Sequence, residues 1–425
     1  MDAPTSIWRQ CLDYAAQSNV GLRRPNNQDA FTVSLAGSQA DFEQRGHFFI
    51  VADGMGAHAA GELASKMATD AVSLVYRKRL DQSPPEALLS AMLDANYQIH
   101  NRGQASPEFR GMGTTATALV LLPTGAMVAH VGDSRAYRLR GTRIEQLTFD
   151  HSLVWEIRAA GQTPDLLPGY IPKNIITRSL GPNRAVQVDL EGPHPLQAGD
   201  TFLLCSDGLS GQVTDDEIGL VLGCLPPAEA AQVLVDLANL RGGPDNITVI
   251  VVRMVGPQII QDAALDATNN AGPSTVGPVH PLVWTVMGVA ALATVGLLAL
   301  GYPLSALLGV FVTAVAAILA MMQRRKAADR RSQIEQRHFG RGPYVACDCA
   351  PNAELLARLT DIVQELRDAT AGENWPIDWS GFDGCLARAA SAAQAENLGD
   401  AAREYLHAIM VMMCQLRQIR DANGR

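Results

Sequence analysis

The stretch FFIVADGMG, Phe48 to Gly56, decides how the chain is read. An apolar run suited to a buried strand passes straight into an aspartate followed by two glycines, Gly54 and Gly56. Asp-Gly is ordinary turn chemistry, because glycine tolerates positive φ and aspartate hydrogen-bonds its own backbone. The same junction recurs, however. TATALVLL (Thr115 to Leu122), AMVAHVGD (Ala126 to Asp133), AYRLR (Ala136 to Arg140), TFLLCSD (Thr201 to Asp207) and NITVIVVR (Asn246 to Arg253) are all strand-like. Asp53, Asp133 and Asp207 close such runs, and Asp245 immediately precedes one. Strands lying side by side would bring these carboxylates to one rim. Crowded like charges raise one another's pKa and destabilise a fold unless cations neutralise them. Hard divalent ions with all-oxygen ligands suit such a rim, and Gly54 and Gly208 would let backbone approach an ion.

Working outward, residues 10–255 read as one α+β domain. Helical periodicity at Gly61 to Arg77, Pro85 to His100, Ser152 to Ala160 and Pro227 to Leu240 separates the strand runs. The short spacings from Thr115 to Arg140 predict an antiparallel meander. Helices between sheet segments predict an αββα sandwich, two mostly antiparallel sheets flanked by helices.

The composition sets limits. With 425 residues, 47% apolar, the chain has room for several domains. Its net charge of -9 argues against nucleic acid as a partner. The seven cysteines are scattered, which suits reduced thiols better than a disulfide framework. Cys347 and Cys349 form a C-x-C with no second pair at zinc-ligand spacing. No signal-peptide pattern opens the sequence, so the N-terminal part is expected in the cytosol.

Beyond the first domain the pattern changes. Residues 256–281 are rich in Ala, Asn, Gly, Pro, Ser and Thr and read as a linker. Leu282 to Leu300 and Leu304 to Met322 are uncharged apolar stretches, each near the roughly 20 residues that span a bilayer as a helix. Gly301 and Pro303 between them favour a two-pass transmembrane hairpin over residues 282–322. QRRKAADRR follows at once, a basic cluster expected on the cytosolic side, so residues 323–350 read as a juxtamembrane linker. Residues 351–425 carry helical patterns and predict a small all-α C-terminal domain. Within it NLGDAAREYLHAI (Asn397 to Ile409) resembles half a tetratricopeptide unit, and a protein partner is a secondary expectation for these helices.

The resemblance becomes specific when SNVGLRRPNNQDA (Ser18 to Ala30) is set beside VADGMGAHAAGELAS, GMGTTATALVL, AHVGDSRAYRLR, NIITRSLG, CSDGLSG and GGPDNITVIVV, all in this order. Over roughly residues 14–254 the chain resembles the metal-dependent 2C-type Ser/Thr protein phosphatases in their bacterial form. The resemblance implies a fold, an activity and a set of roles. Asp53 would bridge two Mn²⁺ or Mg²⁺ ions, joined by the Gly54 carbonyl, Asp207 and Asp245, with Asp29 acting through water. Asp133 with Asp207 would help hold a third, weaker ion. Arg24 would grip the substrate phosphate, a task suited to a planar fork of donors, with Arg23 as its competitor. A metal-activated hydroxide would then hydrolyse phosphoserine and phosphothreonine in proteins without a phosphoenzyme. Residues from about Trp155 to Ile176 fall where the family carries a flap. The expected partners are phosphorylated proteins, including a Ser/Thr kinase, and the lipid bilayer. The expected location is the inner (cytoplasmic) membrane, with catalytic and C-terminal domains in the cytosol.

The sequence departs from that pattern in several places. Gln28 stands where bacterial members usually have Glu, which removes a carboxylate near one metal. Met55 stands where some relatives have histidine, which leaves the general acid open, with His58 a candidate. Ala57 replaces a usual glycine. A catalytically impaired, membrane-anchored phosphoprotein scaffold is the competing reading. Retention of Arg24, Asp29, Asp53, Asp133, Asp207 and Asp245 weighs against it.

Overall fold

FFIVA is apolar without alternation because both faces of its strand are buried. In the computed structural model Phe48 and Ile50 pack outward under helices, while Phe49 and Val51 face the opposite sheet. A strand covered on both sides reads as a continuous apolar run. The structure describes residues 11–56, 59–161, 175–256, 340, 342–371 and 375–422, with a few positions between 289 and 314. The chain divides into two compact units, one of residues 1–80, 87–264 and 339–425 and one of 81–86 and 265–338. The account below concerns the first.

The described elements, in chain order, are β1 Leu12–Asn19, β2 Asp29–Ser34, α1 Gln39–Arg45, β3 His47–Met55, α2 Ala59–Lys78, α3 Pro84–Ala105, β4 Gly113–Thr114, β5 Ala116–Leu122, β6 Gly125–Val131, β7 Arg135–Arg140 and β8 Arg143–Gln146. They continue with α4 Leu153–Ala159, β9 Asp189–His194, β10 Thr201–Cys205, α5 Asp207–Ser210, α6 Asp215–Cys224, α7 Pro227–Leu240 and β11 Ile247–Met254. After a long interval come β12 Val345–Asp348, α8 Ala353–Ala371, α9 Trp379–Gln394 and α10 Leu398–Ala422. One sheet has the order β1-β11-β10-β7-β8-β12; the other runs β2-β3-β5-β6-β9, with β4 also on β3. The paired strands are antiparallel. Phe49, Val51, Leu119, Val128, Phe202, Leu204 and Ile250 fill the space between sheets. Helices α2 and α3 cover the outer face of the second sheet, and α6 and α7 cover the first, as expected for an αββα sandwich.

The structure corrects two expectations. The meander from Thr115 to Arg140 does not exist as such: β5 pairs with β6, but β7 crosses to the other sheet and lies between β10 and β8. Gly132, at φ 116°, begins that exit, and Asp133 and Ser134 bridge the sheets. Second, residues 323–350 are not wholly linker. Val345–Asp348 adds a strand to the edge of the first sheet, pairing with β8, a way of covering an open sheet edge.

The C-terminal helices form no core separate from the phosphatase-like part. Leu355, Leu359, Phe382, Leu406, Ile409 and Met412 join Leu220, Leu222, Leu234, Val249 and Val251 in a single apolar cluster. Polar contacts ring it: Arg417 pairs with Asp236, His407 Nε2 lies 2.9 Å from Glu229, and Arg358 lies 3.0 Å from Asp216. Cys349 is buried and donates from Sγ to the Thr142 carbonyl, 2.8 Å away, so the C-x-C serves strand and core packing. Among the described residues no helix is long and apolar enough to cross a membrane. The hairpin expected at 282–322 lies almost entirely outside the described residues.

Candidate active site

The site begins with the register of β2 on β3, which sets Asp29 directly opposite Asp53. Asp53 is fixed through its backbone. Its N–H donates to Thr115 Oγ1 at 2.8 Å, and its carbonyl accepts from the Thr115 N–H at 2.9 Å and Thr114 Oγ1 at 2.8 Å. Gly54 is constrained by a close approach: a Cβ there would fall 2.1 Å from the Gly61 carbonyl oxygen. Its own N–H donates to the Gln28 carbonyl at 3.1 Å. The start of α2 therefore packs on the ligand strand, leaving room only for a hydrogen.

The opposite sheet delivers the other acids. Asp207 opens α5 just after β10, and Asp245 precedes β11, two strands that are paired neighbours. Asp133 follows β6 at the crossing to β7. The Gly132 N–H donates to His151 Nδ1 at 3.0 Å, and His151 Nε2 lies 2.9 Å from Asp189, so a buried histidine steadies that crossing. Arg24 reaches the same rim, with Nη2 2.7 Å from Asp245 Oδ2. The neighbouring Arg23 guanidinium instead lies near Gly242.

The electrostatics are those of an uncompensated acid cluster. Burial, with the charges of Asp207 and Asp245 adding to it, pushes Asp29 up to about 7. Burial, with Asp207 and Asp150, pushes Asp133 up to about 8. Burial and the surrounding carboxylates hold Asp53 well above the usual range, and burial with Asp245 raises Asp207. Asp29 Oδ1, Asp133 Oδ1 and Asp207 Oδ1 are buried without a hydrogen-bond partner. Orphaned carboxylate oxygens in such a cluster are the donor set a hard cation takes, so these residues fit divalent ions. Among the described residues no three acidic, histidine or cysteine side chains already close into a finished cage. The structure supplies a rim of neighbouring carboxylates.

Two supporting residues escaped the sequence reading. Asn246 ties the N-terminal loop to β11: its Nδ2 donates to the carbonyls of Val20 at 2.9 Å and Asn26 at 3.0 Å, and its Oδ1 accepts from the Gln28 N–H at 2.7 Å. Ser206 donates to Asp29 Oδ2 at 2.7 Å and accepts from the Thr248 N–H at 2.9 Å. Their adjacency to Asp245 and Asp207 was the available signal, because a small polar residue at a buried strand end must find partners. Gly21, at φ 77°, completes the loop, with space for a Cβ taken by the Asp245 carbonyl oxygen at 2.1 Å. The Gln28 side-chain amide lies against the turn after β3, with Nε2 3.5 Å from the Gly56 carbonyl. His58 and residues 162–174 of the expected flap lie outside the described residues. The base of that segment is clasped, with the Leu153 N–H on the Ile175 carbonyl at 2.9 Å and the Thr177 N–H on the His151 carbonyl at 2.8 Å.

Comparison with known proteins places this arrangement. The family model described as Protein phosphatase 2C matches residues 23–236. Protein phosphatase PhpP of Streptococcus pneumoniae is 39% identical over 250 residues, 57% of this chain and 98% of that protein. Serine/threonine protein phosphatase PstP of Mycobacterium tuberculosis is 38% identical over 250 residues, 57% of this chain and 45% of that protein. The solved serine/threonine phosphatase of S. agalactiae superposes with a TM-score of 0.52 at 36% identity, covering 58% of this chain and 100% of that one.

Proposed function

Because this chain belongs to the protein phosphatase 2C family and is a serine/threonine protein phosphatase, we propose that it hydrolyses phosphoserine and phosphothreonine with divalent ions held by Asp53, Asp207 and Asp245, the Gly54 carbonyl, and Asp29 and Asp133 around them. The observation that carries this reading is the set of buried carboxylate oxygens without partners on Asp29, Asp133 and Asp207. When bound, Mn²⁺ or Mg²⁺ ions would lower the pKa of water to give a nucleophile at neutral pH and stabilise charge on the phosphoryl oxygens. The chain's own residues do the rest. Arg24, at the rim beside Asp245, would orient the phosphate through its planar donors. Ser206 holds Asp29, and the threonines at 114 and 115 fix the backbone of Asp53, so the acids keep their places as charge moves. Asn246 keeps the Arg24 loop against β11.

The cellular setting is part of the proposal: a phosphatase at the inner membrane, reversing a Ser/Thr kinase, with residues 282–322 as a two-pass hairpin. Both flanks of that stretch attach to one unit. The Val255 N–H donates to the Cys11 carbonyl at 2.8 Å; on the return side, the Gly340 N–H donates to the Leu190 carbonyl at 2.9 Å and Tyr344 Oη donates to Glu191 at 2.6 Å. A chain that leaves and rejoins one folded unit crosses a bilayer an even number of times. Reporter fusions after residues 256 and 345, and within the GYP turn, check this; opposite compartments for the first two would defeat it.

The catalytic test is phosphate release from phosphothreonine and phosphoserine peptides by the full chain. Turnover should vanish in chelator, return with Mn²⁺, and stay absent in Asp245→Asn. Undiminished turnover in excess chelator would overturn the metal assignment.

A further inference from the structure

Glu191, on β9, is a buried acid, and the hydrogen bonds it accepts among the described residues come from far along the chain. Tyr344 Oη donates to its Oε1 at 2.6 Å, and the Gly342 N–H donates to its Oε2 at 3.4 Å. Gly340 passes so close that a Cβ there would fall 1.5 Å from Glu191 Oε1, a space only glycine leaves free. The Tyr344 N–H donates to the Gln146 carbonyl at 2.9 Å. These residues lie beyond the matched family region of 23–236. A buried carboxylate of the family's own sheet is therefore satisfied from outside the family's own sequence.

The clasp holds the Tyr344 ring against Phe149, edge to face, with centroids 5.5 Å apart. Phe149 in turn meets the crossing that carries Asp133 in two ways. Its ring centroid lies 6.3 Å from that of His151, and its carbonyl accepts from His130 Nε2 at 3.0 Å. The two imidazoles are 4.8 Å apart. His151 closes on Gly132 from both ends: its N–H donates to the Gly132 carbonyl at 2.7 Å, and its Nδ1 accepts from the Gly132 N–H at 3.0 Å. Because Nδ1 accepts, Nε2 carries the proton and donates to Asp189. Asp189 and Glu191 share one face of β9, one footing the histidine and the other the tyrosine. Thr115 closes the far side of Gly132, 2.5 Å from where a Cβ would fall, and also fixes the Asp53 backbone. The crossing is thus pinned between Thr115 and a histidine backed by Phe149.

We propose that Tyr344 is a positioning residue for Asp133: clasped by Glu191, it presses Phe149 against the two histidines and so holds the Gly132–Asp133 crossing in the rim. It touches neither substrate nor ion. The segment that follows the apolar stretch thereby takes part in shaping the ion site. That Asp133 serves an ion rests on the phosphatase reading.

The test compares Tyr344→Ala, Tyr344→Phe and, as a stability control, Phe382→Ala in the full chain. In chelator, hydrogen exchange at the Gly132 and His151 amides should speed about tenfold in Tyr344→Ala and stay near the unaltered rate in Tyr344→Phe, which keeps the ring. Phe382→Ala should speed the amides of α7 instead. In calorimetric Mn²⁺ titration, the weakest-bound ion should lose about tenfold in affinity in Tyr344→Ala alone, with the tighter ions unchanged. Should Tyr344→Ala fail to fold, Tyr344→Leu, which fills the space without an aromatic edge, takes its place. Unchanged Gly132 exchange would overturn the proposal, as would a Tyr344→Phe variant that exchanges as fast as Tyr344→Ala. Faster exchange with every Mn²⁺ affinity unchanged would overturn it too. If the unaltered chain binds no Mn²⁺, the ion reading fails by itself, and the exchange rates decide whether Tyr344 holds the crossing.

Discussion

Buried acids at two places in this molecule have different surroundings. At the sandwich rim Asp29, Asp53, Asp133 and Asp207 crowd together, with Arg24 on Asp245 at the edge. At the seam with the C-terminal helices, buried Asp236 has Arg417, and the partly exposed Glu229 lies 2.9 Å from His407. Both places remove carboxylates from water, which is costly without compensation. At the seam Arg417 on α10 meets one oxygen of Asp236 and leaves the other without a partner; at the rim Asp29, Asp133 and Asp207 each leave one without a partner and lie among further carboxylates. The seam answers Asp236 with a charge of the chain itself, whereas the rim is where the proposed divalent ions would balance the carboxylates.

The comparison breaks first at Asp53. Asp53→Asn should lower kcat/KM by about 10³-fold or more, since it removes several kcal/mol of charge stabilisation, while melting of the chelated protein should not fall, because a repelling charge is gone. A large loss of stability in chelator would make Asp53 a structural acid like those of the seam. At the seam, Phe382→Ala should cost about 3–5 kcal/mol in denaturant unfolding, because Phe382 lies in the cluster shared with α6 and α7. That cost should appear in one transition that also carries phosphatase activity; two separate transitions would make residues 351–425 an independent domain. Arg417→Ala leaves Asp236 unanswered and should cost about 2–3 kcal/mol, less than a fully buried pair because Arg417 is 30% exposed. Asp236→Asn in that background should restore most of it.

Smaller effects sharpen the contrast. Without metal, Asp29 and Asp133 keep protons up to about 7 and about 8, while the unfolded chain releases them near 4. The folded state therefore binds more protons in that window, and stability of the chelated protein should fall as pH rises from about 4 to about 8. Asp236, pushed by burial to about 6, adds a loss of the same sign that ends earlier. Mn²⁺ should raise the melting temperature more at pH 8 than at pH 5, since protons compete with ions at the rim; an equal rise at both would break the assignment. The smallest effect is at Gln28. Gln28→Glu should tighten Mn²⁺ binding by about tenfold by calorimetry, restoring a carboxylate near the ligands.

Much of this was legible in residue order. The apolar runs ending in Asp53 and Asp207, and the PDN before β11, announced the strands and their chemistry because burial on both faces forces continuous apolar sequence. Helix α7 was legible from Pro227 to Leu240 because its period and its starting proline agree. Other features depended on partners far along the chain. Nothing local in AYRLR says that β7 leaves β6 for the other sheet, since short spacing serves a hairpin and a crossing alike. VACD could become β12 only because β8 offered an open edge. Asn246 and Ser206 look like turn residues until Val20, Asn26 and Asp29 arrive beside them.

Six of the strands, the acids at or beside their ends and the family resemblance were legible in residue order, because periodicity, strand termination and ligand type are local properties of the chain. Tertiary structure alone decided that Asp29 faces Asp53, that a late strand and three helices complete the first sheet and its core, and that α10 forms a groove with the Arg24 loop. Those facts join residues as much as about 400 positions apart, and a contact across such a separation arises only when two surfaces with matching shape and charge exclude water together.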